Sequence, residues 1–183
     1  MDNGASSYRR FLNGDNDAFV QLVREFSDGL TLFINTIIND MHIAEEAADD
    51  VFIRLYADKP KFREGCSFKT WLYAIGRNTA LNYLKKIRRR QYAPLEDISY
   101  FSDETDIESE YISDERNKAI HQCIKALYAD HAQVLFLIYF EGLTNQEAAR
   151  VMGKTSRQVT QLLYRAKIAL REEMARRGIS GQI

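Results

Sequence analysis

Residues 144–167 read TNQEAARVMGKTSRQVTQLLYRAK, and this stretch holds two capping boxes eleven residues apart. In the first, the Thr144 hydroxyl can accept from the backbone N–H of Glu147 while the Glu147 carboxylate returns to the cap. The short helix so begun ends at Met152, before Gly153, a residue suited to a left-handed C-cap. Thr155 and Gln158 form the second box and open another helix. A short helix, a tight glycine-containing turn and a second helix make the helix-turn-helix arrangement. The second helix sorts its residues by face. Val159, Leu162, Leu163, Ala166 and Leu170 form an inward stripe, while Arg157, Gln158, Thr160, Gln161, Tyr164 and Arg165 lie outside. Arg, Gln and Thr side chains can hydrogen-bond base edges or phosphates, and such a helix enters the major groove N-terminal end foremost. A generic helical hairpin with a polar face is the competing interpretation.

Working outward, Phe62 to Arg90 reads FREGCSFKTWLYAIGRNTALNYLKKIRRR, with eight Lys/Arg, one Glu and five aromatic residues. The whole chain of 183 residues carries 25 basic and 26 acidic side chains, so this net of +7 is a local concentration. Basic residues neutralise phosphates and exposed aromatics stack on unpaired bases, which suits single-stranded or melting nucleic acid better than intact duplex. A buried amphipathic helix with a solvated basic end would also account for it. By segment the net charge is −6 over 1–60, +8 over 61–95, −9 over 96–115 and +6 over 116–183. That alternation suggests several contact surfaces on one molecule.

The remaining pattern is helical. Asp15 or Asn16 caps a helix carrying Phe19, Leu22, Val23 and Phe26, continued beyond Gly29 by Leu30, Phe33, Ile34 and Ile37. Asn39 or Asp40 opens a second helix that runs to about Asp58, with Ala44, Ala47, Ala48, Val51, Phe52 and Leu55 on one stripe. Its opposite face carries Glu45, Glu46, Asp49, Asp50 and Ile53, an acidic surface with an apolar patch that suits a protein partner. Ser67 caps a long helix through Trp71, Leu72, Ile75, Leu81 and Leu84. From Gln91 to Glu115 helical periodicity lapses and acids accumulate, as in a linker. A second helical block begins near Arg116.

The fold class is therefore all-α, in two small helical domains over residues 1–92 and 116–183, joined by an acidic linker over 93–115. No signal pattern opens the chain and no apolar run approaches the roughly 20 residues of a membrane span, which points to a cytoplasmic protein without stable membrane insertion. Two lone cysteines suggest neither a disulfide framework nor a zinc site, and Cys123 falls on an apolar stripe. The carboxylates of the acidic helix lack a facing carboxylate-rich helix or a histidine in register, so no catalytic residue, metal or cofactor is expected.

The chain resembles the sigma-70 factors of RNA polymerase, in their extracytoplasmic-function (ECF) group. The resemblance rests on GDNDAF at 14–19, AEEAADDVFIRLY at 44–56, the 62–90 stretch, and VLFLIYFEGLTNQEAARVMGKTSRQVTQLLYRAKIALRE at 134–172. It implies a sigma2-like bundle that binds core RNA polymerase and the promoter minus-ten element, and a sigma4-like helix-turn-helix domain that binds the minus-thirty-five element and the polymerase flap. Glu46, Asp49, Asp50 and Ile53 fall where the family docks on polymerase. Phe62, Phe68 and Trp71 match the segment that captures a flipped minus-ten base, with Asn78 near that pocket and Arg77, Lys85, Lys86 and Arg88 on phosphates. Arg157, Gln158, Thr160, Gln161, Tyr164 and Arg165 fall at the minus-thirty-five element. The acidic linker matches the connector in the RNA path.

The implied function is promoter-specific initiation with assisted strand separation, by a protein that is no enzyme, is monomeric when free and is held by an anti-sigma factor. A mimic that binds an anti-sigma protein but not DNA, and an ordinary helix-turn-helix regulator, are the rivals. The first leaves the basic residues without a task; the second does so for the acidic helix. The sequence departs from the family in carrying Leu127-Tyr128-Ala129 where Leu-Pro is usual, and Lys154-Thr-Ser-Arg-Gln158 at the start of the recognition helix.

Overall fold

A computed structural model describes residues 4–62, 65–91 and 115–179, and every regular element among them is helical. Helix α1, Ala5–Leu12, has no counterpart in the sequence pattern; it is one short amphipathic segment whose Tyr8 and Phe11 are fully buried. The Tyr8 hydroxyl donates to the Pro60 carbonyl at 2.7 Å, tying α1 to the chain after the third helix. Helix α2, Asn16–Ile38, starts where Asp15 accepts from the Ala18 N–H at 3.1 Å. Arg10 also bonds the Asp15 carboxylate, and these bonds hold it below its ordinary range. Helix α3, Met41–Asp58, is capped by Asp40, which accepts from the Ile43 N–H at 3.1 Å. Helix α4, Phe68–Gln91, begins after Ser67, whose hydroxyl oxygen accepts from the Thr70 N–H at 3.2 Å.

These four helices form the first unit. The expected stripe of α3 is buried in full, from Ala44 to Leu55, against α2 and α4. Leu22, Leu30, Phe33 and Ile34 of α2 are buried from the other side. Truncating one of these large side chains to Ala costs about 2–5 kcal/mol by lost transfer energy and the cavity left behind. The acidic face of α3 is thereby turned outward.

The second unit contains α5, Glu115–Lys125; α6, Ala129–Leu135; α7, Asn145–Met152; and α8, Ser156–Arg176. At the unusual Leu127-Tyr128 turn, Tyr128 takes φ −57° and ψ 140°. That φ is one a proline would also adopt, so the turn forms without it. Helix α6 widens into a π-helical turn over Phe136–Phe140, closed by a bond from the Glu141 N–H to the Phe136 carbonyl. Both capping boxes form, and Gly153 sits at φ 64° and ψ 36°, the left-handed turn between α7 and α8. Cys123 is fully buried, and burial pushes its thiol above the ordinary value. The expected linker, residues 93–115, lies almost wholly outside the described residues. No described helix is long and apolar enough to cross a membrane.

The two units touch. Helix α7 packs on α4, and α6 on α2. Phe33 meets Phe136 with ring centroids 6.1 Å apart.

Candidate nucleic-acid interface

Helix α8 presents its outer residues as its pattern requires. Val159 and Ala166 are fully buried, while Arg157, Gln158, Thr160, Gln161, Tyr164 and Arg165 are exposed, Tyr164 to 68%. Two of the six are engaged locally. The Gln158 amide oxygen accepts from the Thr155 N–H at 2.8 Å, closing the capping box. The Thr160 hydroxyl accepts from Asn145 Nδ2 at 3.1 Å, which fixes α7 against α8. Arg157, Gln161, Tyr164 and Arg165 are thus the outward groups of a helix held rigidly by its own caps. Hydrogen-bonding side chains on such a helix can read base edges, with Arg and Gln offering bidentate contacts.

The minus-ten candidates divide differently. Phe68 is only 1% exposed and packs on Tyr8, Phe26, Phe62 and Trp71. It supports the segment from within the core and does not offer a face to a base. Trp71 and Phe62 are half-buried and lie 5.5 Å apart by centroid, at the edge of that cluster. Near them, a cleft of about 460 Å³ is lined by Arg9, Leu12, Lys61, Phe62, Gly65 and Cys66. Arg9 belongs to α1, and only the fold brings it to this place.

Asn78, Lys85, Lys86 and Arg88 are exposed along α4. A cleft of about 430 Å³ between α3 and α4 collects Arg54, Asn82, Lys85, Lys86 and Arg89 around Asp50 and Tyr83. Arg54, Asn82 and Arg89 are additions made by the fold, although Asn82 follows Asn78, and Arg89 follows Lys85, by one helical turn. Arg77 points elsewhere: its Nε donates to Gln133 Oε1 at 2.9 Å, across to α6. In this arrangement its guanidinium is occupied by the second unit.

On α3, Glu46, Asp49 and Ile53 stand exposed, Ile53 to 62%. Tyr56, one turn on, adds a 49% exposed ring stacked on Phe11 at 5.6 Å. Asp50 is half-buried and accepts from the Tyr83 hydroxyl at 2.6 Å. Burial, and then this bond, push the Tyr83 phenol up to about 12. The acidic face therefore presents Glu46 and Asp49 around an apolar Ile53–Tyr56 patch, with Asp50 bonded to α4.

Residues 22–90 match the family model for sigma-70 region 2, and residues 117–170 match that for sigma-70 region 4. The RNA polymerase sigma-H factor of Pseudomonas aeruginosa is 33% identical over 170 residues, covering 88% of each chain. The chain belongs to the sigma-70 family, in its ECF group. The ECF sigma factor SigW of Bacillus subtilis is 27% identical over 170 residues, covering 88% of this chain and 91% of its own. Among solved structures, the sigma factor RpoE in complex with the anti-sigma factor NepR, from Bartonella quintana, matches at TM-score 0.66. It is 20% identical and covers 86% of this chain and 96% of that one, which shows a shared fold. Region 2 thus maps onto α2–α4 with the acidic and basic faces, and region 4 onto the unit that ends in the helix-turn-helix.

Proposed function

We propose that this ECF sigma factor binds core RNA polymerase, directs it to promoters by reading minus-ten and minus-thirty-five elements, and helps separate the strands. The presence of regions 2 and 4 in that order on one chain carries this proposal. The protein performs no bond-making chemistry of its own and works in the cytoplasm; polymerase makes the phosphodiester bonds.

Each surface has a task in this scheme. Glu46, Asp49 and Ile53, with Tyr56 beside them, dock on polymerase, while Asp50 braces Tyr83. Arg157, Gln161, Tyr164 and Arg165 read the minus-thirty-five element. Phe62, Trp71 and Asn78 receive an unpaired minus-ten base, and Lys85, Lys86 and Arg88 hold the strand by its phosphates. Unstacking a base costs a few kcal/mol, and stacking of about 1–3 kcal/mol together with phosphate contacts offsets it. Residues 1–92 and 116–183 act as the two recognition domains. We further propose that an anti-sigma factor holds the protein when it is not needed; the RpoE relative is solved with such a partner.

Permanganate footprinting on a cognate promoter with core polymerase tests the melting assignment. Asn78→Ala should reduce thymine reactivity in the bubble at least several-fold while promoter retention changes little. Equal reactivity would remove Asn78 from the melting site.

A further inference from the structure

Between the two units lies a built carboxylate socket. Glu141, at the exit of the π-helical turn, has a side chain only 10% exposed, and its Oε2 lies 2.6 Å from Lys69 Nζ. The same ammonium donates to the Glu141 backbone carbonyl at 2.8 Å. The buried Tyr73 hydroxyl also hydrogen-bonds the Glu141 carboxylate. Lys69 and Tyr73 stand one turn apart on α4, and the third wall is the backbone of α2 at Gly29. A Cβ there would lie 2.7 Å from Glu141 Oε1 and 2.6 Å from Tyr73 Oη. The carboxylate thus occupies space that exists because residue 29 is glycine.

Further bonds surround this point. Ser67 and Thr70 donate to Glu147 Oε1, and Arg150 donates to the Gly65 carbonyl. With Arg77 on Gln133, they join the minus-ten segment of region 2 to region 4.

We propose that Glu141 in this socket is an intramolecular latch that holds the two promoter-reading units in a closed form unable to read both elements at once. The proposal rests on the sigma-factor assignment above. Positions −35 and −10 are separated by about 25 base pairs, ~85 Å of straight duplex at about 3.4 Å per base pair. A globule of 183 residues has a radius of gyration of about 16 Å, hence a width near ~40 Å. Region 4 must therefore leave α4 before the two elements are engaged together. Residues 92–114 can span on the order of 75 Å when extended, which leaves the covalent connection free to permit that separation. Opening withdraws the carboxylate and frees Lys69, Tyr73 and Arg77, so release of region 4 and exposure of these two cations, Lys69 and Arg77, are one event.

Small-angle X-ray scattering on the full-length protein tests the latch, comparing wild type with Glu141→Ala and Gly29→Ala. The second substitution evicts the carboxylate by filling its space, while alanine favours the helix it enters. Both variants should raise the radius of gyration by a quarter or more with helical circular dichroism unchanged. Equal radii in all three proteins would overturn the latch. Should Glu141→Ala lose helicity, Gly29→Ala decides alone, and should both lose it, wild type already as expanded as a two-body chain would overturn the proposal while a compact wild type would sustain it. Transcription with core polymerase on the same samples separates the two claims. Expansion without transcription from any of them refutes the sigma reading and leaves the latch. Transcription without expansion refutes the latch alone.

Discussion

Glu147 serves with one carboxylate as helix cap and as interdomain acceptor. Burial by itself would raise its pKa, but bonds from the Thr144 N–H and hydroxyl, Ser67 and Thr70 outweigh burial and hold it below its ordinary 4.5. A lowered carboxyl contributes stability that is present above the unfolded value and lost as pH falls through the folded one. Glu147→Gln keeps a capping-box residue but removes the charge. Its melting temperature should lie below wild type at neutral pH, with the gap closing below pH 4.5. A gap independent of pH in thermal melts would contradict this role for the charge. On the outer face of α8, which the proposed function assigns to promoter reading, Gln161 and Arg165 are exposed, so replacing them leaves the core intact. A good bidentate base contact is worth about 1–3 kcal/mol. Gln161→Ala with Arg165→Ala should cost tenfold or more in promoter discrimination by competition binding while polymerase affinity stays unchanged.

Elements are the most legible level. The caps Asp15, Asp40, Ser67, Thr144 and Thr155 each act through local bonds between residues three apart, so their spacing specifies the helix starts directly. The stripes of α3 and α8 declare their buried faces for the same reason. Helix α1 escapes because it is short and its Gly4 cap makes no side-chain bond. The π-helical turn over Phe136–Phe140 escapes because its residues carry no capping or glycine signal that would set it apart from an ordinary helical turn. Phe68 and Arg77 fall among the minus-ten residues by the family resemblance; only packing reveals that one is core and the other is bonded to Gln133. For α3, reversing a charge and removing an apolar contact should act together. Asp49→Lys with Ile53→Ala should weaken core-polymerase binding at least tenfold in a pull-down titration, about 1.4 kcal/mol or more. The exposed positions chosen leave the α3 core untouched, so the fold should keep its melting temperature.

At the scale of the whole molecule, two units and their order can be read from charge and periodicity, but their docking cannot. The socket at Gly29, Lys69, Tyr73 and Glu141 joins residues more than a hundred positions apart in the chain. Nothing local marks a glycine inside α2 as the seat of a distant carboxylate. Under the proposed function the acidic face of α3 docks on polymerase, the basic α4 holds the strand and the capped α8 reads the upstream element. The most direct test of that scheme is run-off transcription by purified core RNA polymerase on a pooled genomic promoter library, with and without this protein. Discrete start sites that appear only when it is present, sharing two upstream elements, are the predicted result. The same transcripts with and without it, or none in either case together with no binding to core polymerase, would contradict the scheme.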